Sequence, residues 1–251
     1  MRRIFAYFIS LLLISYGSLL QVNSQDTIIV PLKIKAGLEV SGIAIQYFDK
    51  NILNTEAYIS VDMNEKVSAV LAAGYLKYKY SQYNYTYLNK GMFIRTGFDF
   101  NLLKPDKSKG KYYAGIGVHY GLSVFTSEAP SFQHTDYWGT TSSSIAQKTN
   151  WAHFIEVTPG VRTEIFRNFS MGWTISLRML LYTGTGKDLR PIYVPGFGNG
   201  ANRISTGIGY FFVWNIPYKK ITVIMKKDAP EEPDDTETSN PPVPGTPYLR
   251  Q

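Results

Sequence analysis

Between residues 92 and 102, Met92, Ile94, Thr96, Phe98, Phe100 and Leu102 alternate with Phe93, Arg95, Gly97, Asp99 and Asn101. Successive side chains leave a pleated strand on opposite sides, so this period of two predicts a strand with one apolar and one polar face. The same pattern recurs in segments 32–43, 56–63, 67–80, 112–124, 151–165, 171–181 and 203–214, which makes eight predicted strands. Segment 112–124 has the clearest alternation, and segment 67–80 the weakest, because both of its faces are apolar. Pro159 removes one ladder donor and predicts a bulge or break in its strand.

The composition of the second faces decides which way they point. They gather Glu39, Glu56, Asp62, Asp99, Glu156 and Glu164 with Arg95, Arg162, Arg178, Arg203 and His119, together with many glycines. A solvated sheet surface favours Thr, Lys and Glu and is poor in glycine. The lumen of a narrow closed barrel wants small residues where it is tight and paired charges where it is filled. The first faces carry Phe, Leu, Ile and Met and end in Trp or Tyr, as a lipid belt with aromatic girdles does. The expected fold is therefore all-β, an eight-stranded antiparallel up-and-down transmembrane β-barrel. Connections at 64–66, 104–111 and 167–169 are short or modest, and those at 46–55, 81–91, 126–150 and 184–202 are longer. Such alternation is typical of outer-membrane barrels, and an even strand count returns the chain to the side on which it began.

The termini refine this picture. Residues 1–24 read as a cleaved signal peptide, with Arg2 and Arg3 ahead of an apolar run and small residues before Gln25. The barrel is expected over 25–220, followed at 221–251 by a periplasmic, largely disordered tail rich in proline and acids. The overall net charge of +7 hides an asymmetry, because six acids stand against Arg250 in the tail and the body from 25 to 227 is +10. A basic exported body points to anionic outer-leaflet lipid, lipopolysaccharide or anionic glycan as partner, and export argues against nucleic acid. The chain has no cysteine, which excludes disulfides, thiolate metal sites and thiol catalysis.

With these faces in place, the chain resembles the small eight-stranded outer-membrane barrels of the OmpA/OmpX transmembrane type across 32–216. Its ending Gly207-Ile208-Gly209-Tyr210-Phe211-Phe212 is similar to barrels of unknown function in Gram-negative bacteria. The resemblance implies residence in the cell outer membrane and is nearly silent about activity.

Candidate chemistry is sparse. The inward set Glu39, Glu56, Asp62, Arg95, Asp99, His119, Glu156, Arg162, Glu164, Arg178 and Arg203 is expected to form a charge-paired filling, because buried ions must be paired. On the second outer connection Tyr83, Tyr85 and Tyr87 alternate with Asn84 and Thr86, which suggests a projecting hairpin, and with Tyr78 and Tyr80 they suggest a surface binding ledge for glycan or protein. Of the three histidines, His153 has the lipid-facing parity, and none begins a His-x-Ser element. Gly184-x-Gly186-Lys187 and Gly196-x-Gly198-x-Gly200 lack the strand and helix that a phosphate loop needs, and read as flexible outer loop. No cofactor, metal or catalytic residue is expected. The chain reads as a non-enzymatic barrel with a structural or surface-interaction role through its outer loops. The alternatives are a barrel enzyme modifying lipid A and a soluble exported barrel binding an apolar ligand.

Overall fold

The computed structural model describes residues 27–82, 84–184 and 191–224. The leader at 1–24 and most of the tail lie outside the described residues. Eight long strands carry the fold: β1 (Thr27–Glu39), β2 (Ile52–Asp62), β3 (Val67–Gln82), β4 (Tyr85–Asn101), β5 (Tyr112–Asp136), β6 (Gly139–Phe166), β7 (Phe169–Thr183) and β10 (Ile204–Ile224). Between β7 and β10 lies a two-residue-strand hairpin, β8 (Tyr193–Val194) with β9 (Gly198–Asn199). Two helices interrupt the connections, α1 (Ser41–Phe48) and α2 (Pro105–Ser108). Each long strand hydrogen-bonds its sequence neighbour, and β10 meets β1, so the sheet closes as an antiparallel up-and-down barrel.

The period-two faces sort as inside and outside. On β4, Met92, Ile94, Phe98 and Phe100 are exposed on the outer wall at 67%, 47%, 47% and 41%, whereas Arg95 is buried. Ile175, Leu177 and Met179 on β7 and Ile208 on β10 continue this apolar belt. One rim of the belt carries Tyr120, Trp151 and Tyr182 around the His153 ring, and the other carries Phe166, Phe169, Phe212 and Trp214. An apolar wall between two aromatic girdles is the exterior of a transmembrane barrel. Arginine in place of Ile94 is expected to cost about 2–4 kcal/mol near the bilayer midplane. Urea unfolding in phospholipid vesicles measures this, and undiminished stability would place that face away from lipid.

Several segments differ from the sequence reading. The first strand ends at Glu39, and residues expected to continue it to 43 instead open α1. The 126–150 connection is not a loop, since β5 and β6 run on to a turn at Tyr137–Trp138, and β3 and β4 meet across two residues as the hairpin that the tyrosine alternation suggests. Above the girdle, 125–136 alone adds about 40 Å of strand at roughly 3.3 Å per residue. At Pro159 the expected interruption takes the form of a break and not a bulge: the β6–β7 ladder omits Thr158 and Pro159 without changing register. The last strand continues through Ile224, four residues into the segment assigned to the tail.

Inside, aromatic rings lie on glycines of the adjacent strand. Gly37 pairs directly with Tyr58, Gly74 with Phe93, Gly91 with Phe125, and Gly121 with Phe154. A Cβ on any of these glycines would collide with its partner aromatic residue. The glycines of the inner face thus make room for large inward rings.

Candidate functional site

The lumen is layered. Nearest the short turns, Lys33 Nζ reaches Glu164 Oε2 at 2.5 Å, and Lys35 pairs with Asp62. Asp62 also accepts the Lys33 amide at 2.9 Å and the Ser68 hydroxyl at 2.6 Å. Above them Arg162 donates to the Tyr58 hydroxyl at 3.2 Å and lies 4.9 Å over the Tyr113 ring. His119 Nε2 is 3.1 Å from Asp99 Oδ1, and its Nδ1 is 3.6 Å from Glu156.

The centre is a four-residue ion cluster. Arg95 pairs with Glu56 and Glu156, and Arg178 Nε donates to Glu156 Oε1 at 2.7 Å. Strands β2, β4, β6 and β7 each supply one member, so the cluster ties together walls distant in sequence. Glu156 has no exposed surface, and two guanidiniums balance two carboxylates. Glu39 sits apart, accepting the Gly42 amide at 3.1 and 3.0 Å and the Ser41 hydroxyl, where β1 gives way to α1. Arg203 does not join the network. It precedes β10 and is exposed, because the strand begins one residue later than its alternation suggests.

The outer mouth is filled by a segment that its glycines and prolines had marked as flexible loop. Residues 191–200 turn inward; Val194 and Phe197 are fully buried against Phe125, Ala152 and Phe154, and Pro195 between them is buried too. The rings of Phe154 and Phe197 are 5.8 Å apart, and Asn89 donates to the Tyr193 carbonyl at 2.6 Å. Gly196 sits at φ 73° with its Cα side against the Phe93 ring, which a side chain would displace. Gly186 and Lys187 lie outside the described residues.

The tyrosine ledge is also rearranged. Tyr87 is fully buried and accepts a hydrogen bond from Asn89 Nδ2 at 3.0 Å, so it is not a surface residue. Tyr78 stacks on Tyr193 at 5.3 Å, and Tyr85 stacks on Tyr87 at 6.4 Å. Tyr80 packs beside Tyr85 at 6.2 Å, and Tyr83 lies outside the described residues. Loss of hydration raises the Tyr87 and Tyr193 phenols above their ordinary value, which keeps them neutral.

Lys33, Lys35, Tyr58 and Tyr113 belong to the interior although the candidate set omitted them. Their parity marks them inward, but lysine and tyrosine are also ordinary surface and interfacial residues. His153, on the outer wall, shares a 2.5 Å hydrogen bond with the Tyr120 hydroxyl. Among the described residues no group of three or more acidic or histidine side chains is placed to hold a metal ion.

A cavity of about 450 Å³ remains beside the ion cluster. Tyr193, Gly198 and Asn199 roof it, Arg95 and Glu156 line its depth, and Ile52, Val70 and Val213 line its sides. Part of the lumen is therefore open space, although side chains alone were expected to fill it.

No curated protein matches the sequence. Solved structures that match include Ail, the attachment invasion locus protein of Yersinia pestis, at 10% identity and TM-score 0.34, covering 78% of this chain and 99% of that one. CarO of Acinetobacter baumannii matches at 12% identity and TM-score 0.33, covering 75% of this chain and 98% of that one. The ring of eight strands with a polar lumen and an apolar belt makes this a barrel of the small OmpA/OmpX type. Residues 1–221 match the family model of a domain of unknown function, DUF6048, and the chain belongs to that family.

Proposed function

We propose that the protein resides in the outer membrane and serves a non-enzymatic, surface-interaction role through the strands that extend beyond the lipid belt. The supporting observation is a basic row just past the girdle. Lys77 of β3 stands directly opposite Lys90 of β4, two residues beyond the Tyr75–Met92 pair, and Lys79 follows on the same face. All three lysines are exposed. Like charges directly opposite each other destabilise a sheet, and an anion bound between them reverses the sign. Phosphate groups of lipopolysaccharide, or an anionic glycan, fit this row at the height where lipid headgroups begin.

The chemistry of a lipid-modifying enzyme finds less support. Arg95, Glu156 and His119 are occupied with one another, and His153 faces outward toward Tyr120. A soluble barrel would not expose a continuous apolar belt.

The test is binding of purified lipopolysaccharide to the protein held in phospholipid nanodiscs. K77E/K90E is expected to weaken binding at least tenfold, and the wild-type affinity should fall with salt. Equal affinities for the two proteins would sink this reading.

A further inference from the structure

The wall of the barrel is incomplete on its outer half. β1 stops at Glu39, opposite Glu56, whereas β2 continues upward to Ile52. On the other side, the Val40 amide reaches the Tyr210 carbonyl at 2.9 Å, and β10 continues past it to Ile204. Between the upper ends of β2 and β10 one strand is therefore missing. Two strand spacings leave about 9.5 Å between the flanking backbones. The start of helix α1 lies in the lower part of this gap, with Ser41 Oγ 3.5 Å from the Ile208 carbonyl and Gly42 packed on the Asn54 carbonyl, while Ile43 and Ile45 are about half exposed and Tyr47 and Phe48 almost fully exposed.

The cavity beside the ion cluster opens through this gap. It is lined by the inward residues Glu56, Arg95 and Glu156 and also by Ser41, Ile45, Thr206 and Ile208, which border the gap, so it reaches the break in the wall. The height of the opening is fixed by register. Residues 204–209 pair with 174–179 of β7, where Ile175, Leu177 and Met179 face outward at 57%, 51% and 48% exposure. The window is thus level with the apolar belt, below the girdle residues Trp151 and Tyr182. A polar solute has no path through hydrocarbon to such a door.

We infer that the window admits a single-chain membrane amphiphile, head first, with its acyl chain trailing through the gap beside α1 into the lipid. A two-chain lipid is too wide for one missing strand. A volume near 450 Å³ falls within the range of small-ligand sites. The depth of the cavity sets the head chemistry. Arg95 is buried and lines the cavity, and its Nε–H has no acceptor among the described residues. Arg95 and Arg178 already balance Glu56 and Glu156, so a further negative charge is disfavoured there. The head is an uncharged oxygen acceptor, such as an ester carbonyl or a hydroxyl. This inference rests on the lipid-facing belt, and is independent of the lysine row.

Photolabelling of the full chain in phospholipid vesicles tests it. The probes are a monoacylglycerol and a fatty acid, each carrying a diazirine near the head end of the chain. The monoacylglycerol is expected to label peptides containing Val70 and Val213 in the lumen, and the fatty acid to label them at least fivefold less. Labelling confined to belt positions such as Ile94 and Ile175 with both probes would overturn the site. Equal lumenal labelling by both would overturn the uncharged head. Gly207→Phe places a ring at the window next to Arg178 and should cut lumenal labelling at least tenfold while belt labelling persists. Gly207→Leu serves if the phenylalanine variant does not fold, as judged by gel mobility before and after boiling. Undiminished lumenal labelling in a folded variant would overturn passage through the window.

Discussion

Alanine at Glu156 is expected to lower the folding free energy by about 3–5 kcal/mol, because it strands buried cations. Glu156 is fully buried and is the carboxylate shared by Arg95 and Arg178, with His119 close by. Without it Arg95 keeps Glu56, but among the described residues Arg178 retains only a 3.4 Å contact to the Phe197 carbonyl. Removing one partner of a buried pair costs far more than removing the pair, since the remaining charge stays desolvated. The double variant Glu156→Leu with Arg178→Leu should therefore recover much of the loss. Urea midpoints in phospholipid vesicles, with gel mobility before and after boiling as the check on closure, give both numbers. A cost below about 1 kcal/mol for Glu156→Ala would match an exposed pair and contradict the buried cluster.

The residues of this cluster were legible because parity is strict where one face meets lipid. Arg95 lies inward as surely as Ile94 lies outward, since a one-residue slip would exchange every side chain between lipid and lumen. Beyond the girdle that constraint disappears. The stretch from Ser127 to Thr149 is polar on both faces, so it carries no alternation and reads as loop, yet backbone pairing carries it as strand to Tyr137. Tyr87 was grouped with the exposed tyrosines of the projecting hairpin, whereas within that hairpin its side chain turns inward beside Asn89. Val194 and Phe197 give a different lesson. Two apolar residues among glycines and prolines have no period, and only the tertiary fold shows that they fill the mouth. The window is also invisible in sequence, because it depends on where β1 stops relative to β2 and β10. Val40 and Ser41 continue the strand alternation, while Glu39 accepts the Gly42 amide and helps turn the chain into α1.

Valine at Gly121 is expected to be strongly destabilising. Gly121 of β5 stands directly opposite Phe154 of β6, and a Cβ there would overlap the Phe154 ring. The ring has nowhere to go, for it is fully buried among Phe125, Ala152, Val194 and Phe197. Displacing it costs on the order of the 3–5 kcal/mol lost when a buried phenylalanine is truncated. The mouth should loosen with it, since Phe197 rests on Phe154 at 5.8 Å. Hydrogen exchange at 192–200 reads that loosening separately from global stability. Phe154→Ala alone should be destabilising by a similar amount through the cavity it leaves. The double variant Gly121→Val with Phe154→Ala removes the clash and partly refills the space, so its loss should be smaller than the sum of the singles by about 1–3 kcal/mol. Strict additivity, or a Gly121→Val protein as stable as the parent, would mean that ring and glycine do not share one space. A positive coupling would extend to Gly37 with Tyr58 and Gly74 with Phe93, where the same geometry recurs around the barrel.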